Sequence, residues 1–303
     1  MHRRSFFHRG VWAFVVGVFS VMSFGQTATP AGKVSPAEVT QWLTQGEGDF
    51  AAGNLDQAKE AFEKAFAADP RNAQAGRDLA VLYLRQDKVK DAGHPLDVAA
   101  TAKTLDRSTV MALAYQYIAL KSPMQGVKPV LNYLNAHATK PDEGLLNAMA
   151  IALAAADARG IHSSFYTDSS RAYKKLNAKL EATRPGEKRW GVEWMPAADV
   201  DAKQKTVDAA RVTINSDTKQ IGSCDSQIAA LQRLRDAVVY TEGENNQTAK
   251  KAAYQRQIDQ LDAQRAQATK EIDTNQKTLT DTLPKWPDNV PIESLTLPSA
   301  GGA

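Results

Sequence analysis

Beyond its first 25 residues the chain has three histidines, His94, His137 and His162, and a single cysteine, Cys224. Imidazoles and thiolates do chemistry when they converge, as metal ligands or as a base beside a nucleophile. None of the three histidines stands in an HExxH pattern or has His or Cys neighbours at metal-ligand spacing. Ser163 and Ser164 adjoin His162, but no glycine elbow surrounds either hydroxyl. The dinucleotide pattern GxGxxG is absent, and so is the phosphate loop GxxxxGK followed by Ser or Thr. Carboxylates fall on helical faces beside Lys and Arg, as solvated helices require. The expectation is a chain with no catalytic residue, no metal site and no cofactor.

Two other features carry weaker chemistry. Cys224 has no partner for an internal disulfide, since it is the only cysteine. It is either a small buried residue in a helical seam or the point at which two copies cross-link. Trp190, Trp194 and Trp286 are aromatics that, if exposed together, could stack on sugar rings. Glu193 is the only carboxylate beside them, whereas glycoside hydrolysis needs a pair. A carbohydrate-binding or enzymatic module around these tryptophans is therefore a rival reading. The triplet Asn246-Gln247-Thr248 matches a glycosylation sequon and is read as loop chemistry.

The elements that position these residues come from hydrophobic spacing. Val200, Val207, Ile214, Ile221 and Ile228 are seven residues apart, with Ala210, Cys224, Leu231 and Val238 on a companion seam. A polar break at residues 241–246 precedes a second run through Tyr254, Ile258, Leu261, Ala268, Ile272 and Leu279. Two long helices joined by a short break predict an antiparallel coiled-coil hairpin over residues 199–283. If facing residue numbers sum to about 482, Asp217 meets Arg265 and small residues meet large ones. A sum of 489 sets Asp217 against Ile272 and Arg265 against Cys224, so the first register is expected. The hairpin would return Trp286 to Trp190 and Trp194, forming a knot of three indoles at its base. The β-branched seam would equally suit a parallel homodimer, so pairing within or between chains stays open.

Residues 36–185 show a different period. Trp42, Gly46, Gly53, Ala58, Phe62, Ala65, Asp69 and Pro70 make one pattern. Ala58, Phe62 and Ala65 return 34 residues later as Ala92, Leu96 and Ala99, and Leu79, Ala80 and Tyr83 return as Leu113, Ala114 and Tyr117. This resembles the tetratricopeptide repeat, a helix–turn–helix unit that stacks into a superhelix. The first repeat predicts helices over residues 36–52 and 55–68. In the second, Asp87 replaces the usual turn glycine, and His94-Pro95 would kink the second helix or force a later start. A third repeat covers residues 108–136 with Pro129 inside it. A fourth follows, with a connection over 160–167 and a last helix over 168–183. The resemblance implies a non-enzymatic scaffold or adaptor for a protein or peptide partner. It also implies a groove lined by the first helix of each pair, here Leu43, Glu47, Phe50, Arg77, Val81, Leu84, Arg85, Met111, Tyr115 and Ile118. Such a strip would suit an amphipathic segment carrying an acid, unless the chain covers it itself. The Asn partners of a carboxylate clamp are missing, so that activity is not implied.

Composition bounds the rest. The chain has 303 residues and a formal charge of +3. Residues 1–25 carry Arg3, Arg4 and Arg9 and no acid, which leaves 34 basic against 34 acidic residues beyond them. A neutral chain has no global field to draw it onto nucleic acid or anionic lipid. The basic start and the apolar run over residues 11–24 predict a signal peptide over 1–25, cleaved before Gln26, with no membrane span left afterwards. The expected product is exported, periplasmic or secreted. The expected order is a flexible leader (26–35), tetratricopeptide-like repeats (36–185), a Trp-rich joint (186–198), a coiled-coil hairpin (199–283) and a partly disordered tail (284–303). The expected fold is all-α, a superhelix of about four helix pairs followed by the hairpin. A homo-oligomeric spacer of the cell envelope is the alternative to an adaptor.

Overall fold

The computed structural model describes residues 34–137, 139, 141–238 and 244–298. The expected signal peptide, most of the leader and residues 241–243 of the polar break lie outside the described residues. The fold is all-α, with ten helices and one two-stranded ribbon among the described residues. Eight helices form four pairs: α1 (Pro36–Ala51) with α2 (Leu55–Ala68), α3 (Ala73–Arg85) with α4 (Gly93–Ala99), α5 (Arg107–Ala119) with α6 (Pro123–Ala136), and α7 (Glu143–Asp157) with α8 (Ser164–Glu181). The first helices stack in order, α1 on α3, α3 on α5 and α5 on α7. The ribbon β1 (Glu187–Trp190) and β2 (Glu193–Pro196) then leads into α9 (Ala197–Ala237) and α10 (Glu244–Thr282).

Every pair closes with the same turn. Gly53, Asp87, Lys121 and Gly160 adopt the left-handed conformation, with φ of 81°, 58°, 60° and 68°. Behind each, an amide reaches back over the helix end: Asn54 to the Asp49 carbonyl at 2.8 Å, Lys88 to Tyr83 at 2.8 Å, Ser122 to Tyr117 at 2.8 Å and Ile161 to Ala156 at 3.0 Å. This closure satisfies carbonyls that a helix end leaves open. Glycine adopts the geometry freely, whereas Asp87 and Lys121 bear a strain of about 1 kcal/mol each. The backbone therefore keeps the period at two turns where the sequence has lost the glycine. First helices also start alike, since the amides of Glu38, Ala75, Thr109 and Leu145 donate to the capping side chains of Ser35, Asn72, Asp106 and Asp142.

The core follows the expected small-and-large pattern. Ala58, Phe62, Ala65, Ala92, Leu96 and Ala99 are all buried. Gly46 sits so close to Phe62 that a Cβ there would lie 2.4 Å from its ring. At Gly76 a Cβ would lie 2.5 Å from the Pro95 carbonyl oxygen. Pro95 forces the later start: α4 begins at Gly93, leaving the proline in the first turn, where an amide hydrogen is not needed. Pro129 sits inside an unbroken α6. Helix α8 begins four residues before the expected position because Ser163 caps it through the Tyr166 amide.

Helices α9 and α10, with 41 and 39 residues, pack along each other as an arm about 60 Å long. Val200, Val207, Ala210, Cys224, Ile228, Ile258 and Ala268 are buried in their seam. Arg265 Nη1 meets Asp225 Oδ1 at 3.1 Å, and Arg235 Nη1 donates to Gln255 Oε1 at 2.7 Å; each pair of numbers sums to 490. The helices are thus antiparallel, and the expected register of 482 gives way to the neighbouring one. The reason lies in Arg265. Its long stem carries the guanidinium out of the seam to Asp225 and to Asp262, 3.1 Å away, so no cation is buried against Cys224. Asp217 is too short to escape; it stays 6% exposed, with Oδ2 unpartnered.

Residues 284–298 are not the loose end that their composition suggested. The chain turns at Pro284 against Gly191, makes a 3-10 turn over Ile292–Ser294, and buries Val290 and Leu295 in the main core. Val290, Ile292, Leu295 and Leu297 give this segment an apolar edge that the Pro and Ser content masks. Residues 299–303 lie outside the described residues.

Candidate partner-binding groove

The ten expected groove residues fall on α1, α3 and α5, but they do not form an open strip. Leu43, Val81, Leu84, Met111, Tyr115 and Ile118 are buried, as is Arg77, while Glu47, Phe50 and Arg85 are half-buried. The chain's own tail lies over them. Arg85 Nη1 donates to the Ile292 carbonyl at 3.2 Å, and Asn289 Nδ2 donates to the Tyr115 carbonyl at 3.2 Å. Val290 and Leu295 join the cluster that contains Val81, Leu84, Met111, Tyr115 and Ile118. Leu297 and Phe50 bridge that cluster and the smaller one around Leu43 and Phe62. Arg85 also lies over the Phe50 ring, 5.7 Å from its centre.

Arg77 is not free to meet a partner's acid. Its Nε contacts Asp78 Oδ1 at 2.7 Å, Nη1 contacts Asp106 Oδ2 at 2.8 Å, and Nη2 lies 3.7 Å from Glu47 Oε1. Burial pushes the Asp78 carboxyl up to about 7, and the attraction of Arg77 offsets this only in part. For Asp106, burial also pushes upward, but the Thr109 amide and Arg77 outweigh it and hold the carboxyl below its usual range. The next step repeats the design: Arg107 Nε meets Asp142 Oδ2 at 2.6 Å, and Asp142 caps α7. These arginines tie one repeat to the cap of the next, a structural role that spacing alone did not reveal.

The three tryptophans separate instead of forming a knot. In the ribbon, Trp190 pairs with Glu193 and Trp194 with Arg189, so alternation turns the two indoles to opposite faces. Trp190 Nε1 donates to the Thr282 carbonyl at 3.2 Å, whereas Trp194 Nε1 donates to Glu143 Oε1 at 2.7 Å and lies under Arg184. Arg189 is buried beneath the ribbon and donates to Asn177 at 2.8 Å and to Asn147. Trp190 and Trp286 line one cleft of about 910 Å³ between α8 and the base of α9. The ribbon itself was missed. Its signal was Gly191 ahead of Val192, a two-residue turn with glycine first (φ 72°) between alternating residues.

The histidines are dispersed. His94 meets Phe66 edge-on, His137 stacks on Tyr133, and His162 lies 3.7 Å from Asp157. Cys224 is a free thiol, buried in the seam of the arm.

Residues 49–103 match the family model of the tetratricopeptide repeat. The matched stretch runs from the end of α1 through α4, and the same pairwise packing continues to α8. No curated protein and no solved structure matches the chain. The repeat match supports a protein–protein interaction scaffold. Among the described residues, no helix is long and apolar enough to cross a membrane.

Proposed function

We propose that the chain is an exported, non-enzymatic scaffold that holds a protein partner in its repeat groove and uses the long arm as a second contact surface. The observation that carries this reading is the seating of residues 289–297 across α3 and α5. A groove that accepts Val290 and Leu295 as apolar anchors, with Arg85 on a backbone carbonyl, has the chemistry to accept a partner segment of the same pattern. Such a partner displaces the tail. Arg85, and not the neutralised Arg77, is then the cation it meets. Cys224, buried between α9 and α10 of one chain, favours a hairpin that folds on itself over a cross-linked dimer. Export rests on Arg3, Arg4 and Arg9 ahead of the apolar run at residues 11–24.

The test is affinity purification from the native source with the intact chain and with a chain ending at Lys285. A protein retained by the shortened chain and lost on Arg85→Glu supports the groove. Retention that ignores Arg85→Glu, or no retained protein, overturns it. Light scattering that finds a stable oligomer of the purified chain would favour the envelope-spacer reading instead.

A further inference from the structure

The cleft beside Trp190 plays no part in the scaffold reading. Its size, about 910 Å³, falls in the range of small-molecule sites. Its lining is apolar where Leu153, Val207 and Leu283 meet, and two indoles bound it. The Trp190 N–H donates to the Thr282 carbonyl at 3.2 Å, which fixes that ring in the lining. Trp286, the second indole of the lining, is 38% exposed.

The charges around the cleft do not cancel. Asp157, its single acid, accepts from the Tyr166 hydroxyl at 3.4 Å and lies 3.7 Å from His162. Arg171 pairs with Asp168 at 3.0 Å. Lys174 on α8 and Arg211 on α9 also line the cleft, and neither has a carboxylate partner among the described residues. Tyr166 and Tyr173 also line the cleft. Two exposed cations from different elements, without a carboxylate partner among the described residues, therefore border an aromatic, apolar space.

We propose that this cleft binds a small anion with a flat apolar body, of the aromatic carboxylate class. Its carboxylate lies at Lys174 and Arg211, and its ring lies against Trp190 and Trp286. Both cations are exposed to water, so a neutral ligand gains nothing from them, whereas a carboxylate exchanges that water for charge-assisted hydrogen bonds. A sugar acid fits less well, because its hydroxyls would face Leu153, Val207 and Leu283 without partners.

Isothermal titration of the full chain with 2-naphthoate, with its neutral analogue 2-naphthalenemethanol and with glucuronate tests the site. The expected result is saturable 1:1 binding of naphthoate. Lys174→Gln with Arg211→Gln weakens it by about tenfold or more, while the alcohol's weak binding does not change. Both cations are exposed, so the fold is retained, which a circular-dichroism melt verifies. Trp286→Ala, which leaves the charges in place, also weakens naphthoate. Absence of saturation, naphthoate affinity unmoved by the double Gln variant or by Trp286→Ala, or tighter binding of glucuronate each overturns the proposal.

Discussion

Replacing Leu295 by Ala probes the contact on which the closed groove depends. Leu295 is 1% exposed and lies in the main cluster with Leu84 and Met111. Losing its buried carbons removes about 2 kcal/mol of transfer energy, and the cavity left behind raises the cost to about 2–5 kcal/mol. The polar contacts cannot hold the segment alone. The bonds from Arg85 to the Ile292 carbonyl and from Asn289 to the Tyr115 carbonyl are each 3.2 Å long, and such bonds contribute about 1 kcal/mol apiece. Fixing each residue of the segment costs about as much or more. The tail should therefore open as a unit while the helices stay folded. Three amides report the opening: Val290 donates to Asn289 Oδ1 at 2.8 Å, Ser294 to the Pro291 carbonyl at 2.9 Å, and Leu295 to the Ile292 carbonyl at 3.1 Å. At about 2 kcal/mol their native-state hydrogen exchange speeds up roughly thirtyfold. Amides of α10 keep their rates, and Glu293→Ala, at an exposed position, changes none of them. Unchanged exchange of these three amides in Leu295→Ala would refute the reasoning, and so would an equal rise throughout the chain.

Three further outcomes are expected. Gly46→Ala places a Cβ 2.4 Å from a fully buried Phe62 and costs about 1–3 kcal/mol in urea unfolding, whereas Gly48→Ala, with nothing within 4 Å, gains up to about 1 kcal/mol. Asp78, raised by burial from 3.8 to about 7, keeps its proton in the folded chain while the unfolded chain loses it, so stability falls as pH rises from about 4 to about 7 and then levels off. Asp78→Asn flattens that slope in melts recorded across the range. Asp217→Leu raises stability in urea unfolding by about 1–3 kcal/mol, because it removes a buried carboxylate oxygen without a partner, and a loss of stability would contradict this.

Much of the architecture was legible because it rests on side-chain size. Gly46 against Phe62 and the recurrence of Ala58, Phe62 and Ala65 report packing, and packing leaves a period in the sequence. The turns were less legible, since Asp87 and Lys121 take a glycine's conformation at a tolerable strain. The arm's helices and seams followed from their heptads, but its register did not. Treating Arg265 as a charge fixed at its Cα ignored a stem long enough to carry that charge to Asp225. The residues that the resemblance assigns to a groove fall on α1, α3 and α5. That they are covered could not be read from them, because the covering segment lies some 170–210 residues away in sequence, as the Asn289–Tyr115 and Arg85–Ile292 bonds record. Its apolar residues are too few and too irregular to form a helical or strand period. The Arg77 cluster and the cleft at Trp190 are likewise products of tertiary proximity, with no local motif.

The account turns on the repeat groove being a seat for residues 289–297. Fluorescence polarisation of a labelled peptide spanning residues 286–298, titrated with the chain ending at Lys285 and with the full chain, measures this directly. The account predicts saturable binding to the shortened chain and binding at least about tenfold weaker to the full chain, where the tethered tail competes at millimolar effective concentration. Equal binding to both, or none to the shortened chain, would contradict it.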